Sequence, residues 1–464
     1  MAKPVVVMTS GGQPVVNVTG ATPATPVSSG GVGITLVNNL GVPMSLVNVD
    51  GTAWSDVGIF GFAEPETPPT TFPGTLLVGT ERTGADSARW SKQSGDAALT
   101  IGAGAIAASG AQIAARYWRY TDETSATLGD RIAMIARVES VSGGNLAQSS
   151  NFGTPSGGNN TKLAWKGGTV DANSSTFPSI GFSFAAGVSG SISDFRGTNI
   201  TTLLGQKWFM VVTAGQSNWI GATALNDPDL DPPVEGVVVY PGATNTWSGS
   251  TVSVPMACVD PVNHQTLNGS SGALGGGPSG SFLRELRKYI PGDYTIVYCA
   301  TNYAGQGFKL AGLWNTASAA TARNGFWTRV REVWALAPAN SVVGGLIFCG
   351  GESDLGPGNV AEMLGDGGMP SFFDDVRDEP GWGDVPIVIS EIGMAPGTAN
   401  LAGMFTAQRK FATGSGDPLE LTRCTYVARP ADAVVDVDDT HYVQATHRQR
   451  GIDVALALRD LIYP

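Results

Sequence analysis

From residue 205 onward, short runs of almost unbroken apolar residues alternate with longer stretches of helical pattern, and this alternation constrains the fold more than any other feature of the chain. The runs cover 208–213, 236–240, 294–299, 344–349, 385–390 and 424–428, and the helical stretches cover 281–289, 317–336, 361–375, 401–413 and 440–461. A strand that is apolar at consecutive rather than alternate positions must be buried on both faces. A mainly parallel sheet between helical layers achieves this, so residues 204–464 read as an α/β three-layer domain. In such sheets a site forms beyond the carboxyl ends of the strands.

Before residue 204 the pattern is different. Residues 74–203 hold β segments at 75–79, 97–101, 111–120, 131–140, 162–165 and 180–184, separated by Gly, Ser, Asn or Asp clusters, the spacing of an all-β sandwich-like module. One segment, Arg116-Tyr117-Trp118-Arg119-Tyr120, alternates as a single strand whose aromatics suit either a core and edge or a grip on sugar rings. Residues 58–73 are rich in Pro, Glu and Thr and read as a linker. In residues 1–57 Val, Gly, Pro, Thr and Asn dominate, Asp50 is the first acidic residue, and Leu36-Val37-Asn38-Asn39-Leu40-Gly41 is echoed by Leu46-Val47-Asn48-Val49-Asp50-Gly51. Pieces this short bury no core alone. They read as an N-terminal β arm that gains order by pairing with another chain or domain, or as a flexible tail.

Composition removes several functions. A hydrophobic share of 42% is too high for a disordered chain, and a formal charge of −12 argues against a phosphate-backbone binder, so no nucleic-acid partner is expected. No apolar run approaches the roughly 20 residues of a membrane span, and the apolar stretch after Lys3 is too short for an export signal, so neither membrane insertion nor secretion by a leader is expected. Cys258, Cys299, Cys349 and Cys424 are scattered without a C-x-x-C pair, which leaves a structural zinc site unsupported and reads as buried thiols. Cys299 and Cys349 each close an expected parallel strand, which leaves a contact between them open.

The chemistry narrows to few residues. After the first strand of the α/β domain comes Thr213-Ala214-Gly215-Gln216-Ser217-Asn218-Trp219. A serine between a strand end and a turn is exposed beside free backbone N–H groups, although it can equally be a helix cap. A hydroxyl nucleophile needs a base, and the chain has only three histidines, His264, His441 and His447. His441 follows Asp436-Val437-Asp438-Asp439-Thr440, where a carboxylate three residues earlier can accept the Nδ1 proton and leave Nε2 for the serine. His447 falls within a helical stretch and suits a surface or helix-stabilising role. His264 is in a loop with Asp260 as its one nearby acid.

Gly215-Gln216-Ser217-Asn218 and Asp438-x-x-His441 resemble the SGNH hydrolase superfamily, and more narrowly its sialate O-acetylesterase and plant-type carbohydrate esterase branch. Three intermediate blocks are similar to that branch in the same order: Gly275-Gly276-Gly277-Pro278-Ser279-Gly280-Ser281-Phe282, Gly305-Gln306-Gly307-Phe308 followed by Trp314, and Phe348-Cys349-Gly350-Gly351-Glu352-Ser353-Asp354. The resemblance implies Ser217 as nucleophile, His441 as general base and then acid, Asp438 as orienting carboxylate, and an oxyanion hole from the backbone N–H groups of Ser217 and Gly305. Gly307, Gly350, Asn302 and Glu352 would line the site. Glu352 and Asp354 also have structural work available, bonding loops around it. The chain departs from the branch at Gly350, where a glutamine would add an oxyanion donor. Losing such a donor costs about 10²-fold in rate unless another group, such as Asn302, takes its place. The implied reaction, removal of acetyl groups from sugar hydroxyls, needs no metal or organic cofactor.

The style of residues 1–57 resembles the arms of bacteriophage structural proteins, and arm, β module and esterase in that order look like a tail fibre or tailspike. This implies attachment to other virion proteins through residues 1–57, a homo-oligomer such as a trimer, and a virion-associated enzyme acting on acetylated polysaccharide at the bacterial surface. Two other readings remain: a weakly active or inactive carbohydrate-binding adhesin, and a structural or decoration protein of the particle. Deleting residues 1–57 is expected to spare ester hydrolysis while abolishing particle attachment, checked by acetate release and by co-sedimentation with particles. Loss of hydrolysis in the truncated chain would contradict this division.

Overall fold

The computed structural model describes residues 59–70, 200–221, 230–231, 234–240, 277–318 and 320–464, and elsewhere the backbone pairing of individual strands. The sheet of the C-terminal region contains β1 (Lys207–Gly215), β2 (Val234–Tyr240), β3 (Met256–Cys258), β4 (Tyr294–Cys299), β5 (Val342–Cys349), β6 (Ile387–Ser390) and β7 (Cys424–Val427). Their spatial order is β3-β2-β4-β1-β5-β6-β7, with β3 antiparallel on the edge and the other neighbours parallel. This is the expected α/β fold with a mainly parallel sheet. The helices are α1 (Ile200–Gly205), α2 (Ser217–Ile220), α3 (Ser279–Arg287), α4 (Thr321–Trp334), α5 (Asn359–Met363), α6 (Met369–Asp378), α7 (Leu401–Arg409) and α8 (Gln444–Ile462).

The apolar runs are strands for the reason the pattern gives. Every residue of β4 and β6 is buried, as is β1 beyond Lys207. Each fully buried Val, Ile or Phe stabilises by about 1.5–3 kcal/mol. On α8 the buried stripe runs through His447, Arg450, Val454, Leu458 and Ile462, at the three- and four-residue spacing of one helix face. From β1 the chain moves towards β2, whereas from β5 it moves towards β6. The winding therefore reverses between two adjacent strands, which opens a crevice at their carboxyl ends.

Three expectations change. The single helix read over 361–375 is two, α5 and α6, because Gly365-Asp366-Gly367-Gly368 interrupts it with Gly367 at φ +73°. Pro370 then lies in the first turn of α6, where its missing N–H is harmless. The edge strand β3 is three residues long, too short for periodicity to register. Cys299 and Cys349 do not meet, because β1 runs between their strands and pairs with both. Cys299, Cys349 and Cys424 are free and buried, and burial pushes the Cys299 thiol up to about 12 and that of Cys349 to about 11.

An aromatic cluster holds the segment after β4. Phe308 stacks on Trp314 with ring centroids 5.5 Å apart, and Phe372 of α6 meets Trp314 edge-on at 5.4 Å and Phe326 of α4 at 5.3 Å. Such pairs add about 0.5–1.5 kcal/mol each beyond area burial.

Earlier in the chain, Leu163–Thr169, Arg131–Ser142, Ser189–Asn199, Ala105–Ala108 and Leu99–Gly102 form one antiparallel sheet, with Leu76–Val78 also paired to Ser189–Asn199. A second contains Leu146–Ala147, Ser183–Phe184, Arg116–Thr121 and Ser179–Ile180, with Trp90–Lys92 on Arg116–Thr121. Met1–Glu64, with Tyr463, forms a separate unit in which Val5–Met8 pairs with Pro14–Asn17 and Leu36–Val37 with Pro43–Met44. The aromatic side chains of 116–120, the echoed segment 46–51 and the arm's side chains lie outside the described residues.

Gly215 sets the spacing of the strand ends. Its φ is +126°, and a Cβ there would lie 1.9 Å from the Cys349 carbonyl oxygen. Gly215→Ala therefore combines backbone strain with overpacking and is expected to lower unfolding free energy by about 3 kcal/mol. An unchanged thermal midpoint in that variant would refute the assignment.

Candidate active site

The turn after β1 is bonded to the strands on both sides. Gln216 donates its N–H to Cys349 O of β5 (2.7 Å), and Tyr303, just past β4, donates its N–H to Gly215 O (2.9 Å). Ser217 then opens α2. Trp219 on that helix donates Nε1–H to Tyr298 OH (2.7 Å), which also lies 2.8 Å from Ser279 Oγ, so α2 is anchored to β4 and α3.

The loop between β7 and α8 brings His441 to the serine. His441 Nε2 lies 2.8 Å from Ser217 Oγ, and Nδ1 lies 2.5 Å from Asp438 Oδ2. The other Asp438 oxygen accepts the N–H groups of Thr440 (3.0 Å) and His441 (2.9 Å). Partial burial alone would raise the Asp438 pKa. The hydrogen bond from the imidazole and those from the two backbone N–H groups outweigh it and hold the carboxyl at about 2. Asp438 thus stays ionised and fixes the ring with Nε2 towards the hydroxyl.

The remaining sequence candidates lie around this line in different ways. Asn302 is fully buried, with Nδ2 3.5 Å from Gln216 O. Gly305 occupies an exposed turn at φ +70°. Gly307 is pressed against Asp354, where a Cβ would lie 2.3 Å from Oδ1, and Asp354 accepts the N–H groups of Phe308 (3.1 Å) and Lys309 (2.8 Å). Asp354 therefore joins the loops after β4 and β5. Gly350 is buried with its Cβ direction 3.1 Å from Gly215 Cα and 3.6 Å from Gln216 Cγ, and its carbonyl accepts from Gln408 Nε2 (2.6 Å). The Gln216 side chain spans the same space, accepting from Ser353 N–H (3.2 Å) and donating to Gln306 O. Glu352 Oε1 accepts from Asn218 Nδ2 (2.7 Å). His264 and Asp260 lie outside the described residues.

His447 corrects an expectation. It is fully buried rather than on the surface, edge-on to Tyr442 at 5.8 Å, with no hydrogen-bond partner on either ring nitrogen. Burial, together with the nearby charges of Arg450 and His441, pushes its pKa well below the usual histidine range. Sequence reasoning also missed Arg450, which is 1% exposed and donates to Ser390 Oγ (2.6 Å), Glu391 O (2.6 Å), Cys349 Sγ (3.2 Å) and Asn218 O (3.4 Å). The signal available was spacing: 447, 450, 454 and 458 fall on one helix face with the apolar residues. Among the described residues no cluster of three or more His, Cys, Asp or Glu is placed to hold a metal ion.

No protein-family model matches the chain, and no curated protein matches it. Solved structures similar to it include a protein of Arabidopsis thaliana (TM-score 0.42, 14% identity, over 55% of this chain and 99% of that one). Another is a carbohydrate acetylesterase from Xanthomonas citri (TM-score 0.38, 14% identity, 75% of this chain and 71% of that one). A third is a carbohydrate esterase family 2 enzyme with a carbohydrate-binding domain from Corynascus thermopiles (TM-score 0.34, 13% identity, 84% of this chain and 99% of that one).

The depressed Asp438 pKa has a definite sign. A carboxyl held below its unfolded value of about 3.9 stabilises the fold above that value, and the contribution is lost as pH falls through about 2. The difference in thermal midpoint between the native chain and Asp438→Asn is expected to be constant above pH ~5 and to shrink between pH ~4 and ~2. A difference that grows on acidification would reverse the assignment.

Proposed function

We propose that residues 204–464 are an SGNH-type serine esterase that removes O-acetyl groups from polysaccharide by acyl transfer. The observation that carries this reading is the continuous line from Ser217 Oγ through the His441 ring to Asp438, with spacings of 2.8 and 2.5 Å, at the carboxyl ends of a parallel sheet. His441 Nε2 takes the Ser217 proton as Oγ attacks the ester carbonyl. The tetrahedral oxyanion is met by the Ser217 N–H and by a donor from the segment after β4, either Gly305 N–H or the amide of Asn302. Imidazolium then protonates the departing sugar oxygen, leaving acetyl-Ser217. Water attacks that ester with His441 as base, releasing acetate and restoring the hydroxyl. Asp438 keeps the ring in the required tautomer and stabilises the imidazolium.

In the same reading, residues 1–57 attach the chain to other proteins of a phage particle as part of a homo-oligomer, and the esterase acts on acetylated polysaccharide at the bacterial surface. Support for this part is the arm–module–enzyme order of the sequence.

Acetate release is measured from an acetylated aryl ester and from acetylated bacterial polysaccharide. Ser217→Ala and His441→Ala are each expected to lower kcat by about 10⁴-fold or more, and Asp438→Asn by about 10²–10⁴-fold. Native turnover in Ser217→Ala would refute the acyl-enzyme. A folded native chain that releases no acetate but binds the polysaccharide would shift the reading to an adhesin.

A further inference from the structure

Proton transfer requires His441 to be held to within about half an ångström of its bonding position against Ser217, yet the loop that carries it is largely solvent-facing, with Val437 99% exposed. The loop is tied by an isolated backbone bridge between Val435 and Tyr442, by Ala395 N–H to Asp439 O (2.9 Å) and by the Tyr442 side-chain hydroxyl to Ile392 O (2.8 Å). One further bond joins the two reacting residues by the shortest covalent route. Asn218, which follows Ser217, places Nδ2 3.1 Å from the carbonyl of Thr440, which precedes His441.

The orientation of that amide is fixed from one side. Asn218 Nδ2 also meets Glu352 Oε1 at 2.7 Å and Gly393 O at 3.1 Å, whereas Asn218 Oδ1 is buried without a hydrogen-bond partner. Glu352 Oε1 lies 3.4 Å from the Asn218 backbone nitrogen as well. With Oδ1 unpaired, the amide is oriented through Nδ2, by the Gly393 and Thr440 carbonyls and, at the shortest distance and as the side-chain acceptor among them, by the carboxyl of Glu352. We infer that Asn218 and Glu352 are positioning residues that hold His441 at bonding distance from Ser217, Glu352 acting through the Asn218 amide and Asn218 through the Thr440 carbonyl. The inference rests on the acyl-transfer reading. What it requires of residue 352 is reach rather than charge. The side-chain oxygen of glutamine can accept from Asn218 Nδ2 in the place of Glu352 Oε1.

The test uses the full chain with Glu352→Gln, Glu352→Asp, Asn218→Ser and the double variant Asn218→Ser/Glu352→Asp, each checked for folding by thermal melt. Glu352→Gln keeps an acceptor at Oε1 and is expected to retain kcat within about threefold. Glu352→Asp withdraws the acceptor by one methylene, and Asn218→Ser removes Nδ2. Each is expected to lose kcat by about 10–10²-fold with KM changed less than about twofold, the penalty of a slight misplacement of the base. The double variant is expected to lose no more than Asn218→Ser alone, because the two act in series.

Native kcat in Asn218→Ser, fully additive losses, or activity kept by Glu352→Asp and lost by Glu352→Gln would each overturn the inference. A turnover-independent readout is the downfield proton of the His441–Asp438 hydrogen bond in the NMR spectrum. Retention in Glu352→Gln with loss in Glu352→Asp supports positioning, and retention in both overturns it. If Ser217→Ala keeps native turnover, the acyl-transfer reading fails, and this proton signal still decides whether the pair positions the ring.

Discussion

The Arg450 guanidinium is fully enclosed and collects the backbone around the crevice. It bonds to the Asn218 carbonyl after β1, to the Cys349 sulfur at the end of β5, and to Ser390 and the Glu391 carbonyl at the end of β6, while its Cζ lies over the Tyr442 ring, 4.6 Å from the centroid. A charge taken out of water is tolerated only when its donors are satisfied, and here oxygen and sulfur acceptors from three neighbouring strand ends do this. Because Arg450 is on α8, the same helix that follows the His441 loop is keyed to the strands that carry Ser217 and Glu352. The loop that carries the imidazole is thus tied to the strand ends through Arg450 and Tyr442, and through the bond from Asn218 to the Thr440 carbonyl.

The site divides into a rigid half and a tethered half. The rigid half is the pair of strand ends β1 and β5, brought together by two glycines, 215 and 350, with the Gln216 side chain laid across the space a side chain at 350 would enter. A Cβ at 350 would press on Gly215 Cα (3.1 Å) and the Phe348 ring (3.3 Å) while meeting Gln216 Cγ at an ordinary contact distance of 3.6 Å. Gly350 thus packs directly against Gly215 and Phe348, beside the Gln216 side chain. The tethered half is the exposed loop 430–441, whose order comes from carboxylates and carbonyls rather than from apolar burial. Asp438 illustrates this, serving its own loop backbone with one oxygen and the imidazole with the other.

Much of the fold was legible because burial on both faces leaves an unbroken apolar run, as in β4, where expectation and structure coincide at 294–299. Ser189–Asn199 was illegible for the opposite reason. Its Ser, Gly and Asp residues carry a turn signature, yet eleven residues form a strand paired on both edges, with register shifts against Arg131–Ser142. At the site, Asp438 and His441 could be read because both lie on one loop at fixed spacing, and their link to Ser217 rested on a motif. Asn218, Arg450 and His447 could not be assigned roles, since each depends on contacts far away in sequence. A histidine and an arginine on an amphipathic helix read as solvent-facing until the register of that helix is known.

The serine and its histidine are separated by 224 positions in the chain. Closing so long a loop is entropically slow, and nothing local in either segment prefers the closed geometry. The two side chains come together only after six parallel strands have paired and α8 has docked. On the proposed esterase reading, hydrolytic competence is then a property of the completed domain rather than of any partly folded state. Recovered turnover would report the slowest long-range step of refolding, where a helical signal would report an early one.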